Sequence, residues 1–354
     1  MKKALALVLA LTTAITCAAC GSKTPGQSAN STASGNEADS SKVYEFTLAT
    51  TNPLDALDTQ CAEKIVNRMA EETDGKVQLK LYPAGQLGDL TQIYDEVIAG
   101  TIDMSLSSVY GTYNILNEAT YLPFLSADYD DYRKVFASDG FLAQTVAKAE
   151  AELGVTQLGF FPGGFIGLCY TDTKGTTAED FFDPTAKKNG LIRIPAMEYV
   201  TILMKSMNFN VTNMNYSDVY TSLQTGTIDG SWHSGPYLNY ESFRDVMKCF
   251  VDYKAANDNL TFMVNTKAYQ SMPTEYQELL SKIVKEELAA GIDQVEQQED
   301  ECIQKMRDYG ITVYEPTDEQ RANLKAWVIE NVWPSYYDMY GQEFMEGLIA
   351  SLEN

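Results

Sequence analysis

The chain has one histidine, His233, in 354 residues, and only six cysteines. Cys17 and Cys20 lie in the first twenty positions; Cys61, Cys169, Cys249 and Cys302 are scattered, with no C-x-x-C pair among them. A zinc site needs several closely spaced nitrogen and sulfur ligands, so this pattern argues against one, and no metal or cofactor is expected. Cations are also scarce: 26 Lys and Arg stand against 49 Asp and Glu, a formal net charge of −23. So acidic a chain repels a phosphate backbone, which excludes nucleic acid as a partner. There is no G-x-S-x-G elbow, and nothing marks out a nucleophile beside His233. No catalytic residue is expected, and a secreted hydrolase is disfavoured.

Long apolar runs are missing too, except at the start. Lys2 and Lys3 precede the apolar stretch Ala4 to Ile15, which is too short to span a bilayer. It leads into Cys17-Ala18-Ala19-Cys20-Gly21, which resembles the bacterial lipoprotein cleavage box with Cys17 where Leu is usual. The expectation is a lipoprotein signal peptide over 1–20 with Cys20 lipidated; the alternative is an ordinary secretory signal cut near Ala19. Residues 21–42 are Ser, Gly, Asn, Thr and Ala with little to bury, which reads as a disordered tether. Such a body works near a membrane without entering it, extracytoplasmic and lipid-anchored.

What is present is a repeated phrase. Gly100-Thr101-Ile102-Asp103 and Gly226-Thr227-Ile228-Asp229 each follow an apolar-periodic stretch that reads as helix, Leu90–Ala99 and Val219–Thr225. Each Gly suits the left-handed position that ends a helix, and Thr-Ile is expected to start a short buried strand. Ser107 and Ser108 then arrive at the end of the first strand, and Trp232, His233 and Ser234 at the end of the second. Strand ends of this kind face the ligand crevice of open α/β sheets. The expectation is two related α/β lobes closing on something between them.

The rest of the chain agrees. Strands are expected at Tyr44–Thr50, Val77–Tyr82, Thr156–Phe160, Leu191–Ile194 and Leu260–Val264. Helices are expected after Asn52-Pro53 through Ala70, from Asp130 to Leu153 and over Tyr199 to Met207. This alternation predicts largely parallel sheets, with Pro162-Gly163-Gly164 as a crossing between lobes. Asp89 and Gln92 form a capping-box start, and Asp103 and Asp229 are expected to tie down their turns. Thr274 and Gln277 suggest another capping box, opening a helix that Gly310 closes. At about 1.5 Å per residue, 275–309 reaches roughly 50 Å, enough to run along both lobes; the alternative is two helices joined near Gly291. Trp327, Trp333, Tyr336, Tyr337 and Tyr340 recur at helical spacing and are expected in the core of the second lobe.

Ordered segments carry a resemblance. Thr73-Asp74-Gly75-Lys76, Tyr82-Pro83-Ala84-Gly85-Gln86-Leu87-Gly88-Asp89, Gly100-Thr101-Ile102-Asp103-Met104, Leu122-Pro123-Phe124-Leu125, Leu191-Ile192-Arg193-Ile194-Pro195 and Asp218 to Gly226 running into Ile228-Asp229-Gly230 together resemble the extracytoplasmic solute-binding subunits of tripartite ATP-independent periplasmic (TRAP) transporters. The resemblance implies a two-lobed periplasmic-binding-protein-like α/β fold with a hinge of crossing strands and a long helix along both lobes. The expected division is 43–165 plus 272–312 for lobe 1 and 166–271 plus 313–354 for lobe 2. It further implies a monomer that captures a small organic acid and hands it to membrane transporter subunits. A receptor of an ATP-driven importer or of a sensing system is the alternative.

The resemblance also puts Arg193 where the family holds the ligand carboxylate, a role its planar, always-charged fork suits. By position, Tyr216 covers the ligand and Asn257 contacts it, while Ser107, Ser108 and Tyr110 face it from lobe 1. Three departures stand out. Ile166 replaces an arginine frequent at the lobe crossing, Asp183–Lys188 is an added polar stretch expected as a surface loop, and Trp232 and His233 replace a Glu and an Asn. They imply a less polar pocket, with one carboxylate anchor and Trp232, His233 and Tyr216 around an apolar or aromatic body.

Overall fold

The computed structural model describes residues 42–232 and 234–353. The expected signal peptide, the lipidation site Cys20, nearly all of the tether, and His233 lie outside the described residues. Among those described, no helix is long and apolar enough to cross a membrane, and Cys61, Cys169, Cys249 and Cys302 are free and buried.

In chain order the strands are Tyr44–Thr50 (β1), Val77–Tyr82 (β2), Met104–Ser107 (β3), Val155–Phe165 (β4), Leu168–Tyr170 (β5), Leu191–Ile194 (β6), Asn210–Asn213 (β7), Gly230–Trp232 (β8), Cys249–Val251 (β9), Asn257–Asn265 (β10) and Thr312–Tyr314 (β11). They build two sheets, β2-β1-β3-β10-β4 and β11-β9-β5-β8-β6-β7. The sheets are mixed rather than largely parallel. β1 runs parallel to β2 and β3, and β6 to β7 and β8. β10 is antiparallel to β3 and β4, and β5 to β8 and β9. The antiparallel strands sit where the chain leaves one lobe and returns: β4 ends at Phe165, and the Ile166 N–H donates to Ala256 O at 2.8 Å beside the returning segment. Two glycines make this crossing close. A Cβ on Gly235 would stand 2.8 Å from Gly163 O, and one on Gly164, at φ 105°, would stand 2.7 Å from Glu299 Oε1.

The repeated phrase does the same work twice. Gly100 and Gly226 end their helices at φ 81° and 72°. The strands begin after the aspartates, at Met104 and Gly230, and Thr-Ile stays in the turn. Each aspartate then accepts a backbone N–H from the neighbouring parallel strand: Asp103 Oδ2 from Thr47 at 2.8 Å, and Asp229 Oδ2 from Leu191 at 2.8 Å. The turn is thereby fixed to the strand beside it.

Four local expectations give way. Asp130–Leu153 is two helices, Tyr129–Val135 and Phe141–Glu152, because Ser138-Asp139-Gly140 makes a turn between them. Pro273 is the residue before the long helix Thr274–Tyr309, so Thr274 is its first residue and no capping box forms; Gln277 Nε2 donates to Met272 O instead. Lys188 is not on the surface: it is 1 % exposed, donates to Asp183 O and lies 5.5 Å from the Phe209 ring centre. The C-terminal aromatics do not belong to one lobe. Trp333 Nε1 donates to Pro123 O in the first, Tyr336 OH to Tyr199 O in the second, and Phe344 packs on Phe141.

The long helix is one piece of 36 residues, about 54 Å at the α-helical rise. Its Leu280, Ile283, Val284 and Leu288 join the core of the first lobe, while Ile303 and Met306 join the cluster holding Cys169 and Phe250 in the second. Gly291 does not break it; it makes room for Phe161 of β4, whose Cε2 would lie 2.3 Å from an added Cβ. On helix propensity alone Gly291→Ala gains about 1 kcal/mol. The overpacking against Phe161 costs roughly 1–3 kcal/mol, so denaturant unfolding is expected to show a net loss. A stabilised Gly291→Ala protein would refute this packing.

Candidate functional site

A cavity of ≈ 710 Å³ opens where the two lobes face each other. The first lobe contributes Thr51 and Asn52 after β1 and Ser108 and Tyr110 after β3. The second contributes Arg193 of β6 with Pro195 and Ala196 after it, the segment 213–217 at the end of β7, and the helix face Tyr237, Leu238, Glu241 and Ser242. The site thus lies beyond the carboxyl ends of parallel strands, where backbone groups are free of the sheet. Glu118 bridges the lobes nearby: its Oε2 accepts from Glu198 N at 2.8 Å and Tyr199 N at 3.2 Å, at the start of the helix Glu198–Ser206.

Arg193 sits between Ile192 and Ile194, both fully buried, and is itself 1 % exposed. Nε donates to Met214 O at 2.8 Å, and Nη1 is buried with no partner. Cζ lies 5.9 Å from the centre of the Tyr216 ring, whose hydroxyl bonds Ser242 Oγ at 3.0 Å. Among the described residues no carboxylate is paired with Arg193. Burial pulls the guanidinium below its ordinary value, yet arginine stays charged in proteins. An unpaired buried ion costs several kcal/mol, and an anion in the cavity offsets that cost.

Asp258 is the second buried ionisable side chain on the cavity, 4 % exposed on β10. Ser108 Oγ donates to its Oδ1 at 3.3 Å. Burial pushes this carboxyl up to about 7, against the Ser108 bond and with help from Asp58. Tyr110 is pushed up to about 12, chiefly by burial, with Arg193 pulling its phenol down and Asp258 pushing it up. Tyr216 feels the same two charges. Both phenols therefore lie within electrostatic reach of both charges.

Of the residues expected at the site, Arg193, Tyr216, Ser108 and Tyr110 line this cavity together. Ser107, Trp232 and Asn257 do not. Ser107 is fully buried in β3, facing away from the side that Ser108 takes. Trp232 is 1 % exposed and packs on Tyr253, ring centres 5.5 Å apart, so it fills core rather than covering a ligand. Asn257 Oδ1 accepts from Ser126 Oγ at 2.5 Å, and its neighbour Asp258 takes the cavity side. Asp89 is both helix cap and cavity wall: Oδ1 accepts from Gln92 N at 2.9 Å. Asp258 and Tyr237 were not expected; the signal for Asp258 was strand alternation one residue past Asn257. Among the described residues no group of three or more His, Cys, Asp or Glu is placed to hold a metal ion.

Asp258 near 7, Asp58 and Asp252 near 6 and Glu299 near 8 all sit above the unfolded carboxylate range. The folded chain keeps protons that the unfolded chain has lost, so stability is full below about pH 4 for these groups and drains as pH rises through their folded values. The melting temperature of the ligand-free protein is expected to fall from pH 5 to pH 8, less steeply in Asp258→Asn. A rise over that range would contradict the raised values of these buried carboxyls.

Residues 48–339 match the model of bacterial extracellular solute-binding protein, family 7. The sialic acid-binding periplasmic protein SiaP of Vibrio cholerae is 25% identical over 259 residues, covering 72% of this chain and 78% of its own length. The C4-dicarboxylate-binding periplasmic protein DctP of Rhodobacter capsulatus is 25% identical over 299 residues, 82% of this chain and 85% of its own. Among solved structures, a TRAP periplasmic solute-binding protein of Desulfovibrio salexigens with bound orotic acid superposes with a TM-score of 0.77 at 20% identity, covering 88% of this chain and 99% of that one. The two-lobed fold is therefore shared, and the chain belongs to family 7 of the bacterial extracellular solute-binding proteins, the solute-binding proteins of TRAP transporters.

Proposed function

We propose that this protein captures a small organic acid between its lobes and delivers it to the membrane subunits of a TRAP transporter, tethered to the membrane by a lipid on Cys20. One observation carries the ligand class: Arg193 is buried on the cavity wall with Nη1 unpartnered and no protein carboxylate beside it. The sialic acid, C4-dicarboxylate and orotic acid of the similar proteins are all carboxylic acids, which supports the same reading. A carboxylate entering here gains two parallel charge-assisted hydrogen bonds in a site that closure dries, where each is worth more than in water. Tyr110, Tyr216 and Tyr237 supply aromatic surface for the remainder of the solute. Binding is the whole activity in this account; no step of covalent chemistry is assigned.

The test is calorimetric titration with a panel of organic acids. Arg193→Ala is expected to lose about 2–5 kcal/mol of binding, roughly 30-fold or more, and Arg193→Lys to fall between, keeping charge without the planar fork. Equal affinity of wild type and Arg193→Ala for every acid would sink the anchor. Anchoring is read separately: incorporation of a labelled fatty acid is expected in the full chain and absent in Cys20→Ala, and label retained by that variant would place the lipid elsewhere.

A further inference from the structure

The charges around the cavity are unequal. Among the described residues that line it, Arg193 is the only Lys or Arg, whereas Asp55, Asp89, Glu241 and Asp258 are all carboxylic. Asp258 is the buried one, and among the described residues no cation is paired with it. Asp58, 5 % exposed, also raises the Asp258 carboxyl by its negative charge. A solute with two carboxylates would satisfy Arg193 and then press its second charge against Asp55, Asp89 and Glu241, and against Asp258 wherever it is ionised, where like charges repel. A plain monocarboxylate would leave Asp258 desolvated with only the Ser108 hydroxyl. A solute that carries both signs relieves both buried groups at once.

We propose that the solute is zwitterionic, its carboxylate held by Arg193 and an ammonium or protonated ring nitrogen on the same molecule directed at Asp258. Tyr110 and Tyr216 line the same cavity and offer aromatic surface to the atoms that join the two groups. Ser108 Oγ sets the Asp258 carboxylate by its bond to Oδ1, leaving Oδ2 for the solute. This rests on the anion-binding reading of Arg193, and it specifies what the other end of the solute must be.

The experiment is calorimetry on the full chain with matched triads sharing one skeleton: 3-phenylpropionate, 3-phenyllactate and phenylalanine; valerate, 5-hydroxyvalerate and 5-aminovalerate. Glutarate tests the second carboxylate. The ammonium member is expected to bind tightest in the better-fitting triad, and Asp258→Asn to weaken it about tenfold or more, a larger loss than the plain acid of the same triad suffers. Asp258→Asn keeps the shape of the side chain, and a cooperative melt without solute confirms that it folds. The zwitterion is overturned if a plain acid, hydroxy acid or glutarate binds tighter than every ammonium acid, or if all ammonium acids are silent at millimolar concentration. It is equally overturned if Asp258→Asn leaves their affinity intact. Plain acids bound through Arg193 would overturn this inference alone. Acids bound equally by Arg193→Ala would remove the carboxylate anchor as well.

Discussion

A guanidinium held out of water without a carboxylate to meet it is the interaction on which the site depends. Arg193 is 1 % exposed, anchored by one bond from Nε to Met214 O, and its Nη1 has no partner. Most of the chain pushes anions away, with a formal charge of −23. Long-range attraction therefore supplies little of the affinity for an acid, and water at physiological salt screens it within about 8 Å. What remains is local: a cation only 1 % exposed, set on a strand rather than a loop, so that little ordering is left to be done when a solute arrives.

The fold is arranged so that this cation meets residues of the other lobe. Two features give the pairing its geometry. The repeated Gly-Thr-Ile-Asp turn delivers β3 in one lobe and β8 in the other, each fastened by an aspartate to the parallel strand next to it. The long helix and the C-terminal helices then hold the lobes from behind: Ile283 packs in one, Met306 in the other, and Trp333 and Tyr336 each bond a backbone carbonyl on a different side. The crossing strands, with Gly163 and Gly235 in backbone contact and Gly164 in a left-handed conformation, are the thin places between. Motion between lobes in this family fold is expected to concentrate there, since the remaining connections are packed helices.

Much of this was legible in the sequence, and what was not has physical reasons. Local rules wrote the capping box at Asp89, the left-handed stops at Gly100 and Gly226, and the single long helix ending at Gly310. Arg193 was legible because an arginine among Ile192, Ile194 and Pro195 has to answer for its burial. A strand, however, sends neighbours to opposite faces, and the pattern Ser107-Ser108 or Asn257-Asp258 does not say which member faces the cavity; the sheet register decides it. The position of Trp232 in the sequence points to the ligand, but its size equally suits a core, and it is buried against Tyr253. Gly291 was read for its helix cost, while its use is a contact with Phe161 that lies far off in sequence. The C-terminal aromatics showed which helix faces are buried, and helical periodicity carries no information on which lobe receives them.

The most direct test of the account is mass spectrometry of the small molecules released when the purified protein is denatured, run beside Arg193→Ala. A solute with a carboxyl group is expected from the wild type and is expected to be absent from the variant. A solute without a carboxyl group, or one carried equally by both proteins, would contradict the claim that Arg193 holds the ligand.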